Sequence, residues 1–302
     1  MPVTESTIRT YTAHLNSLSR DLGHSIMPEG YGWLKDHKKV FETIKISPSP
    51  NTWNNKLFAV KYLLDLEDAP KSLVKSYEVY ITDVKAEIEQ KYADNKKSDK
   101  EEANWLTKDQ LMNILDDLEK KTKKSISSRK DYKDIMKYLC LKIHIETPLR
   151  NDLANAKIFL DPVDSDIEDP EFNYIVLDSA TKKATFIDNV YKTKERHGRL
   201  VINWSADIAK ELFHYYKDLV GITYDNFFLT NNNGDKMTPN NYTKFLKSIF
   251  TDYDKNISSS MIRHIVVSDL YGLDEETEAK KKQLAHNMGH TKGIASAIYA
   301  KV

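Results

Sequence analysis

One cysteine stands among 302 residues, and no net charge is left over, because 45 basic side chains are matched by 45 acidic ones. The lone thiol, Cys140, excludes an internal disulfide framework and a cysteine-rich zinc site. It sits in the apolar run IMKYLCLKI, which reads as a buried face. The charge balance holds on both sides of residue 104, so neither half is basic overall. Phosphate binding usually shows as a basic excess, and its absence counts against nucleic acid unless one face is locally basic. No signal-peptide pattern is visible, and no apolar run is long enough to span a bilayer. The expectation is a soluble intracellular protein that is not secreted. No internal repeat is apparent.

What is present is mostly helical periodicity. Hydrophobic residues make up 40% of the chain, enough to fill two cores. Residues 4–22 carry Ile8, Tyr11, Leu15 and Leu18 at three- and four-residue spacing behind a Thr4 cap. Residues 30–43 read as a second helix and residues 52–67 as a third, with Trp53, Leu57, Val60, Leu63 and Leu64 on one face. Pro70 interrupts, and residues 71–92 read as a fourth. Residues 1–92 thus form a helical domain. Residues 93–104, polar and charged, read as a linker. Residues 105–302 form the second domain. There Thr107 opens another helix, and a basic run, KKTKKSISSRK, occupies 120–130. Alone, such a run is a solvated loop. Residues 131–146 are helical, and TPLRNDLANAKIFL reads as a proline turn leading into a helix that carries Arg150. YIVLD, ATFIDNV and RLVIN, between residues 174 and 203, predict a three-stranded antiparallel sheet. Residues 205–220 return to helix. FFLTNNNGDKMTPNNY at 227–242 reads as a loop with an Asn-Asn-Asn-Gly turn and a Thr-Pro start to the next helix, and the rest is helical.

The last 46 residues hold Arg263 and His264 side by side, then Gly289-His290, then Tyr299 nine positions on. Cleaving a phosphodiester with a tyrosine needs several groups. Fixed donors must meet the non-bridging oxygens, ideally forked guanidinium groups. A proton donor must meet the leaving oxygen, and the nucleophile must be aligned with it. Taken singly, each residue has an ordinary structural explanation: a packed tyrosine, a surface arginine, solvated lysines. His286 and His290 stand four apart without a third ligand of suitable type, so no metal site is expected.

The joint order resembles the tyrosine recombinase (integrase) superfamily over residues 106–302. TPLRNDLANAKI is similar to the family's first arginine segment, VYKTKERHGRLVI to its lysine hairpin, MIRH to its second arginine, and NMGHTKGIASAIY to its histidine–tyrosine segment. The wording around YKT and MGH looks most like integrases of eukaryotic mobile elements, the crypton type, and of large DNA viruses.

The resemblance implies a mainly α fold with the small sheet, built as a two-domain DNA clamp of a helical core-binding domain and a catalytic domain. It implies strand cleavage and rejoining through a 3′-phosphotyrosyl link, without cofactor, on double-stranded DNA. The assembly would be a homo-tetramer, a dimer of dimers working through a Holliday junction. Tyr299 would attack, Arg150 and Arg263 would clamp the phosphate, and His290 would donate to it or move a proton. Lys192 or Lys194 would protonate the leaving oxygen, with Lys192 preferred because it opens the K-T pair. Beside such a site Lys120, Lys121, Lys123, Lys124, Arg129 and Lys130 become DNA contacts. The chain would be DNA-associated, in nucleus or cytoplasm.

Three departures stand out. Ser260 occupies the position of the family's histidine, three before Arg263, and a serine hydroxyl is no base near neutral pH. Asp152 lies two after Arg150, near the family's usual glutamate. Only Ala300, Lys301 and Val302 follow Tyr299, where many members carry another helix; this reads as a truncation or a different coupling of subunits. Two other readings stay open: a type IB topoisomerase relaxing DNA, and a catalytically inactive DNA-binding accessory protein on the same fold.

Overall fold

The computed structural model describes residues 3–122, 128–223, 225–272 and 278–301. The chain divides into two compact units, Met1–Asp94 and Asn95–Val302.

Among its described residues the first unit holds four α-helices. α1 (Glu5–Asp21) starts where the Thr4 hydroxyl accepts the Thr7 N–H. α2 (His37–Lys45) begins later than the residue pattern implies. A 3₁₀ turn at Gly32–Leu34 comes first, and the Asp36 carboxylate then caps the helix by accepting the Lys39 N–H. α3 (Pro50–Leu66) has proline in its first turn, where the missing N–H costs nothing. α4 (Lys71–Ala93) completes the bundle. Leu18, Leu34, Ile44, Leu57, Val60, Leu64 and Tyr77 are fully buried between them. The Tyr77 hydroxyl donates to the Leu34 carbonyl at 2.7 Å, so its polar atom is satisfied inside an apolar core.

The second unit opens with α5 (Asp99–Asn104), a helix inside the stretch that reads as a linker. It buries no side chain. What holds it is a reciprocal cap. The Ser98 N–H donates to the Glu101 carboxylate at 2.8 Å and the Glu101 N–H to the Ser98 hydroxyl at 3.3 Å. Asp99, Glu101 and Glu102 add negative charge at the positive end of the helix. α6 (Lys108–Thr122) begins with the same kind of cap, between Thr107 and Gln110. α7 (Arg129–Glu146) packs against α6 and places Tyr132, Ile135, Met136, Leu139 and Cys140 in the core.

The sheet is a correction to the expected one. It has four strands, not three, and is mixed. β1 (Ala156–Leu160) lies parallel to β2 (Asn173–Asp178). β3 (Lys183–Asp188) and β4 (Leu200–Asn203) extend it antiparallel, with Phe186 opposite Ile202. The segment after Arg150 is therefore a 3₁₀ turn (Asp152–Asn155) followed by a strand, not a helix. Five residues are too few for periodicity to tell helix from strand. Tertiary pairing decides: Ala156 and Ile158 face the core, and the backbone of residues 226–228 covers the other edge. Between β3 and β4 lies the short α8 (Lys194–His197).

Among the described residues five more helices follow that sheet hairpin in sequence. They are α9 (Ala206–Ile222), α10 (Pro239–Ile249), α11 (Ser259–Tyr271), α12 (Glu278–Asn287) and α13 (Lys292–Tyr299). Phe186 stacks on Trp204 at 5.4 Å and ties the sheet to this layer. Among the described residues no helix is long and apolar enough to cross a membrane.

Candidate active site

Two arginines distant in sequence meet at one nitrogen atom of a histidine. Arg150 sits in the turn between α7 and β1, where its backbone N–H donates to the Asp152 carboxylate at 3.0 Å. The next residue, Asn151, fastens this turn to two helices. It donates to the Pro239 carbonyl and the Thr243 hydroxyl on α10 and accepts from the Ser259 hydroxyl on α11 at 2.8 Å. Arg263 comes from the middle of α11 and is 3% exposed, on a helix that also buries Ile262, Ile265, Val266 and Val267. Both guanidinium groups reach Nε2 of His290, Arg150 at 2.8 Å and Arg263 at 3.0 Å. Guanidinium only donates, so Nε2 accepts twice and the ring proton belongs on Nδ1. His290 is therefore neutral. Burial, followed by the nearby charges of Arg150, Arg263, His197 and Lys192, pulls its pKa down to about 4. Such an electropositive surround also disfavours any metal cation at this imidazole.

Gly289 places His290. It has φ +64° after the end of α12, where its N–H returns to the His286 carbonyl and the His290 N–H to the Ala285 carbonyl. A Cβ here would lie 2.9 Å from the Tyr191 ring and 3.0 Å from the Thr193 hydroxyl. The lysine-bearing loop thus lies directly on the Gly-His turn. The Thr193 hydroxyl donates to the Gly289 carbonyl at 3.1 Å and fixes that contact.

Tyr299 ends α13 and is 8% exposed. Its ring covers the Arg263 guanidinium at 4.4 Å and lies 5.6 Å from the His290 ring. The backbone behind it is anchored to α11: His264 Nδ1–H and the Ser268 hydroxyl both donate to the Tyr299 carbonyl at 3.2 Å. His264 in turn faces Glu101 of α5 at 3.6 Å. Burial lowers the His264 pKa while Glu101 and the Tyr299 carbonyl oppose that shift.

The structure thus gathers Arg150, Arg263, His290 and Tyr299. Lys192 is exposed on the loop above His290 and contributes to the positive field there. Lys194 opens α8 and is half-buried. Ser260 is exposed on α11, and the contact to the Arg150 turn is made by its neighbour Ser259 instead. The basic run is divided. Lys120 pairs with Asp117 at 3.0 Å and Lys121 with Asp252 at 3.6 Å. Arg129 donates to the Thr230 hydroxyl at 3.0 Å and to the Asn231 carbonyl, and lies over the Tyr132 ring, so it holds a loop. Lys130 lines a cavity of about 600 Å³ together with Lys133, Lys137 and Lys244. Lys123 and Lys124 lie outside the described residues.

Residue reasoning missed Asn151, Asn173 and Asp188. Asp188 had a signal: in ATFID it shares the inward alternation with Ala184 and Phe186, and a carboxylate at a core-facing strand position calls for a reason.

No protein-family model matches the chain, and no curated protein sequence matches it. Solved structures do. A lambda integrase dimer bound to a COC′ core site matches at 12% identity with a TM-score of 0.52, covering 98% of this chain and 71% of that one. The chain shares the fold of lambda integrase. XerA recombinase matches at 13% identity (TM-score 0.44, 99% and 88% covered). XerH recombinase bound to difH substrate, in a pre-cleavage complex, matches at 15% (TM-score 0.43, 98% and 94% covered).

Proposed function

We propose that the chain is a tyrosine-type site-specific DNA recombinase. The observation that carries this reading is the meeting of Arg150 and Arg263 on His290 Nε2, with the Tyr299 ring against Arg263. Two guanidinium groups that converge on one acceptor leave several N–H groups aimed at one small volume. A phosphodiester entering there offers more acceptor oxygens and two forks to meet them, and charge developing on those oxygens would be met by donors already in place. His290 would turn its Nδ1–H, or a reprotonated Nε2–H, to the phosphate once the guanidinium groups move onto it.

Tyr299 is the nucleophile in this scheme. Its hydroxyl would pass its proton to His290 Nε2, freed once the guanidinium groups have moved onto the phosphate. Its oxygen would bond to phosphorus as the 5′ oxygen leaves, and a 3′-phosphotyrosyl link would hold the bond energy for rejoining. The leaving oxygen needs a proton, which Lys192 would give; its place in the field of His290 favours it over Lys194. Ser260, on the exposed face of α11, would contribute at most a hydrogen bond to a phosphate oxygen. In this reading the first unit is a core-binding domain on double-stranded DNA. Lys120, Lys121 and Lys130 would meet the backbone, whereas Arg129 is already engaged with the 230–231 loop. The reaction would run in a homo-tetramer through a four-way junction. The host would be a mobile element of the crypton type or a large DNA virus, as the YKT and MGH wording suggests.

The test is a nicked DNA substrate incubated with wild type and Tyr299→Phe, resolved on a denaturing gel without metal ion. A covalent protein–DNA band from wild type alone is the expected result. Equal bands from both proteins would place the nucleophile elsewhere. Bound DNA without a band from either would favour a non-catalytic binder. Relaxation of plasmid without joining of two DNAs would favour a topoisomerase.

A further inference from the structure

Behind the candidate site lies a second set of polar groups that the proposed chemistry does not use. Asp188 ends β3 and is 2% exposed. One of its oxygens, Oδ1, has no hydrogen-bond partner. The Val190 N–H and the Asn173 side chain lie near the carboxyl and act to lower its pKa, though both hydrogen-bond other partners. Asn173, at the start of β2, is fully buried and joins three segments. Its amide donates to the Asp152 carbonyl at 2.8 Å, and its carbonyl accepts the N–H groups of Asn189 and Val190 at 2.8 and 2.7 Å. Asp152 belongs to the Arg150 turn. Asn189 and Val190 begin the loop that carries Lys192 and packs on Gly289. One buried amide therefore sets the spacing between the two ends of the candidate site.

The charges around this hub do not balance if both carboxyls ionise. Arg150 and Asp152 face Asp188 from the turn before β1, and Arg263 faces Asp152 from α11. Tyr191, from the loop, is neutral at ordinary pH and feels both carboxyls. On the other side β4 offers Leu200, which is apolar. One arm of the Arg150 fork is turned to His290, and Arg150 is the cation that buried Asp188 and half-buried Asp152 share. Like charges in a water-poor pocket keep one proton between them.

We propose that Asp188 is a positioning residue that works as a neutral acid: uncharged beside Asp152, it lets the Arg150 turn and the Lys192 loop close on Asn173, and its ionisation drives them apart. Burial and the neighbouring Asp152 push Asp188 up to about 8, and burial lifts Asp152 to about 6. The catalytic half of this inference rests on the recombinase reading; the protonation half does not.

Asp188→Asn keeps the shape and removes the charge. A group whose folded pKa is raised has its stabilising contribution in full below the unfolded value of about 4, and loses it as pH rises to the folded value. Wild-type thermal stability should therefore fall from about pH 6 to about pH 8, and D188N should lack that slope. Above about pH 8 native Asp188 ionises, and the ratio of D188N to wild-type covalent adduct should rise about tenfold by roughly pH 9. Parallel melting curves for the two proteins over the first interval would overturn the proposal. So would loss of adduct by a folded, DNA-binding D188N at pH 7, because the ionised form would then be the one required. Absence of adduct from wild type on any DNA would sink the recombinase reading, while the melting comparison would still decide the protonation state. If D188N does not fold, infrared difference spectra of the wild type settle the matter. A buried protonated-carboxyl band lost between about pH 7 and about pH 9 supports the proposal, and no such band refutes it.

Discussion

The two units bury different things. In the first, the core is aliphatic and aromatic, and Lys56 is the one buried charged side chain among the described residues, answered by Asp21 at 2.9 Å. The second buries His144, Asn173, Asp188 and Arg263. Unpartnered buried atoms occur in both units, Ser19 Oγ and Asn54 Oδ1 in the first and Arg129 Nε, His144 Nδ1, Asp188 Oδ1, Trp204 Nε1 and Arg263 Nε in the second. An unpaired buried polar atom costs on the order of 1–3 kcal/mol. That cost therefore falls on both units. What differs is the kind of group buried: the first unit buries one ionisable side chain, Lys56, already paired, and the second buries His144, Asp188 and Arg263 at and behind the candidate site.

That contrast predicts substitutions that separate chemistry from stability. The largest effect belongs to an exposed residue. Lys192→Ala should reduce covalent cleavage by about 10²- to 10⁴-fold, the worth of a lost general acid. Being on the surface, it should change stability by less than about 0.5 kcal/mol. A substrate with sulfur in place of the 5′ bridging oxygen should restore the rate, since a thiolate leaves without a proton. Lys194→Ala should show neither effect. If Lys194→Ala is the variant rescued by sulfur, the two lysines exchange roles.

The reverse effect is expected in the first unit. Leu57→Ala removes a fully buried side chain and should cost about 3 kcal/mol, read as a lower melting transition for that unit. In the second unit His144 can be compared with it. Its Nε2 bonds the Tyr242 hydroxyl at 2.8 Å, and burial holds its pKa down to about 3. A lowered histidine pKa means that the unfolded chain binds a proton first, so the penalty grows as pH falls below about 6.5. His144→Phe should therefore gain on wild type by about 3 kcal/mol between about pH 6.5 and pH 4, whatever its cost at neutral pH. A difference that does not vary with pH would mean that the fold does not lower the His144 pKa. Leu57→Ala should show no such drift.

The parts legible in the residues were those with a period or a fixed spacing. Thr4 and Thr107 caps, the apolar faces of α1 and α3, and three of the four strands follow from local chemistry. The turn and histidine that meet Tyr299 lie within one short segment, so their order survives in sequence. What was not legible depends on long-range pairing. β1 is a strand because residues 173–177 and 226–228 flank it, and nothing within AKIFL decides that. α5 is a helix because Ser98 and Glu101 cap each other, a two-residue signal inside a stretch that composition makes polar. Asn173 and Asp188 matter through partners some 20 to 35 positions away, and the loop conformation that separates Lys192 from Lys194 has no period at all.

The smallest predicted effect tests whether the second unit is tighter as well as more polar. Gly23 and Gly289 both have positive φ, +93° and +64°. Any L residue there costs on the order of 1 kcal/mol from the backbone alone. At Gly23 a new methyl group meets nothing within 4 Å, so Gly23→Ala should show that cost and no more. At Gly289 the methyl group lies against the Tyr191 ring and the Thr193 hydroxyl, at distances where something must shift. The Tyr191 ring is the yielding partner, and it carries the Lys192 loop with it. Gly289→Ala should therefore cost about 1 kcal/mol more than Gly23→Ala and should also lower covalent cleavage, which Gly23→Ala leaves unchanged. If the two variants melt alike and cleave alike, the loop yields freely, and its contact with the Gly-His turn sets nothing in the site.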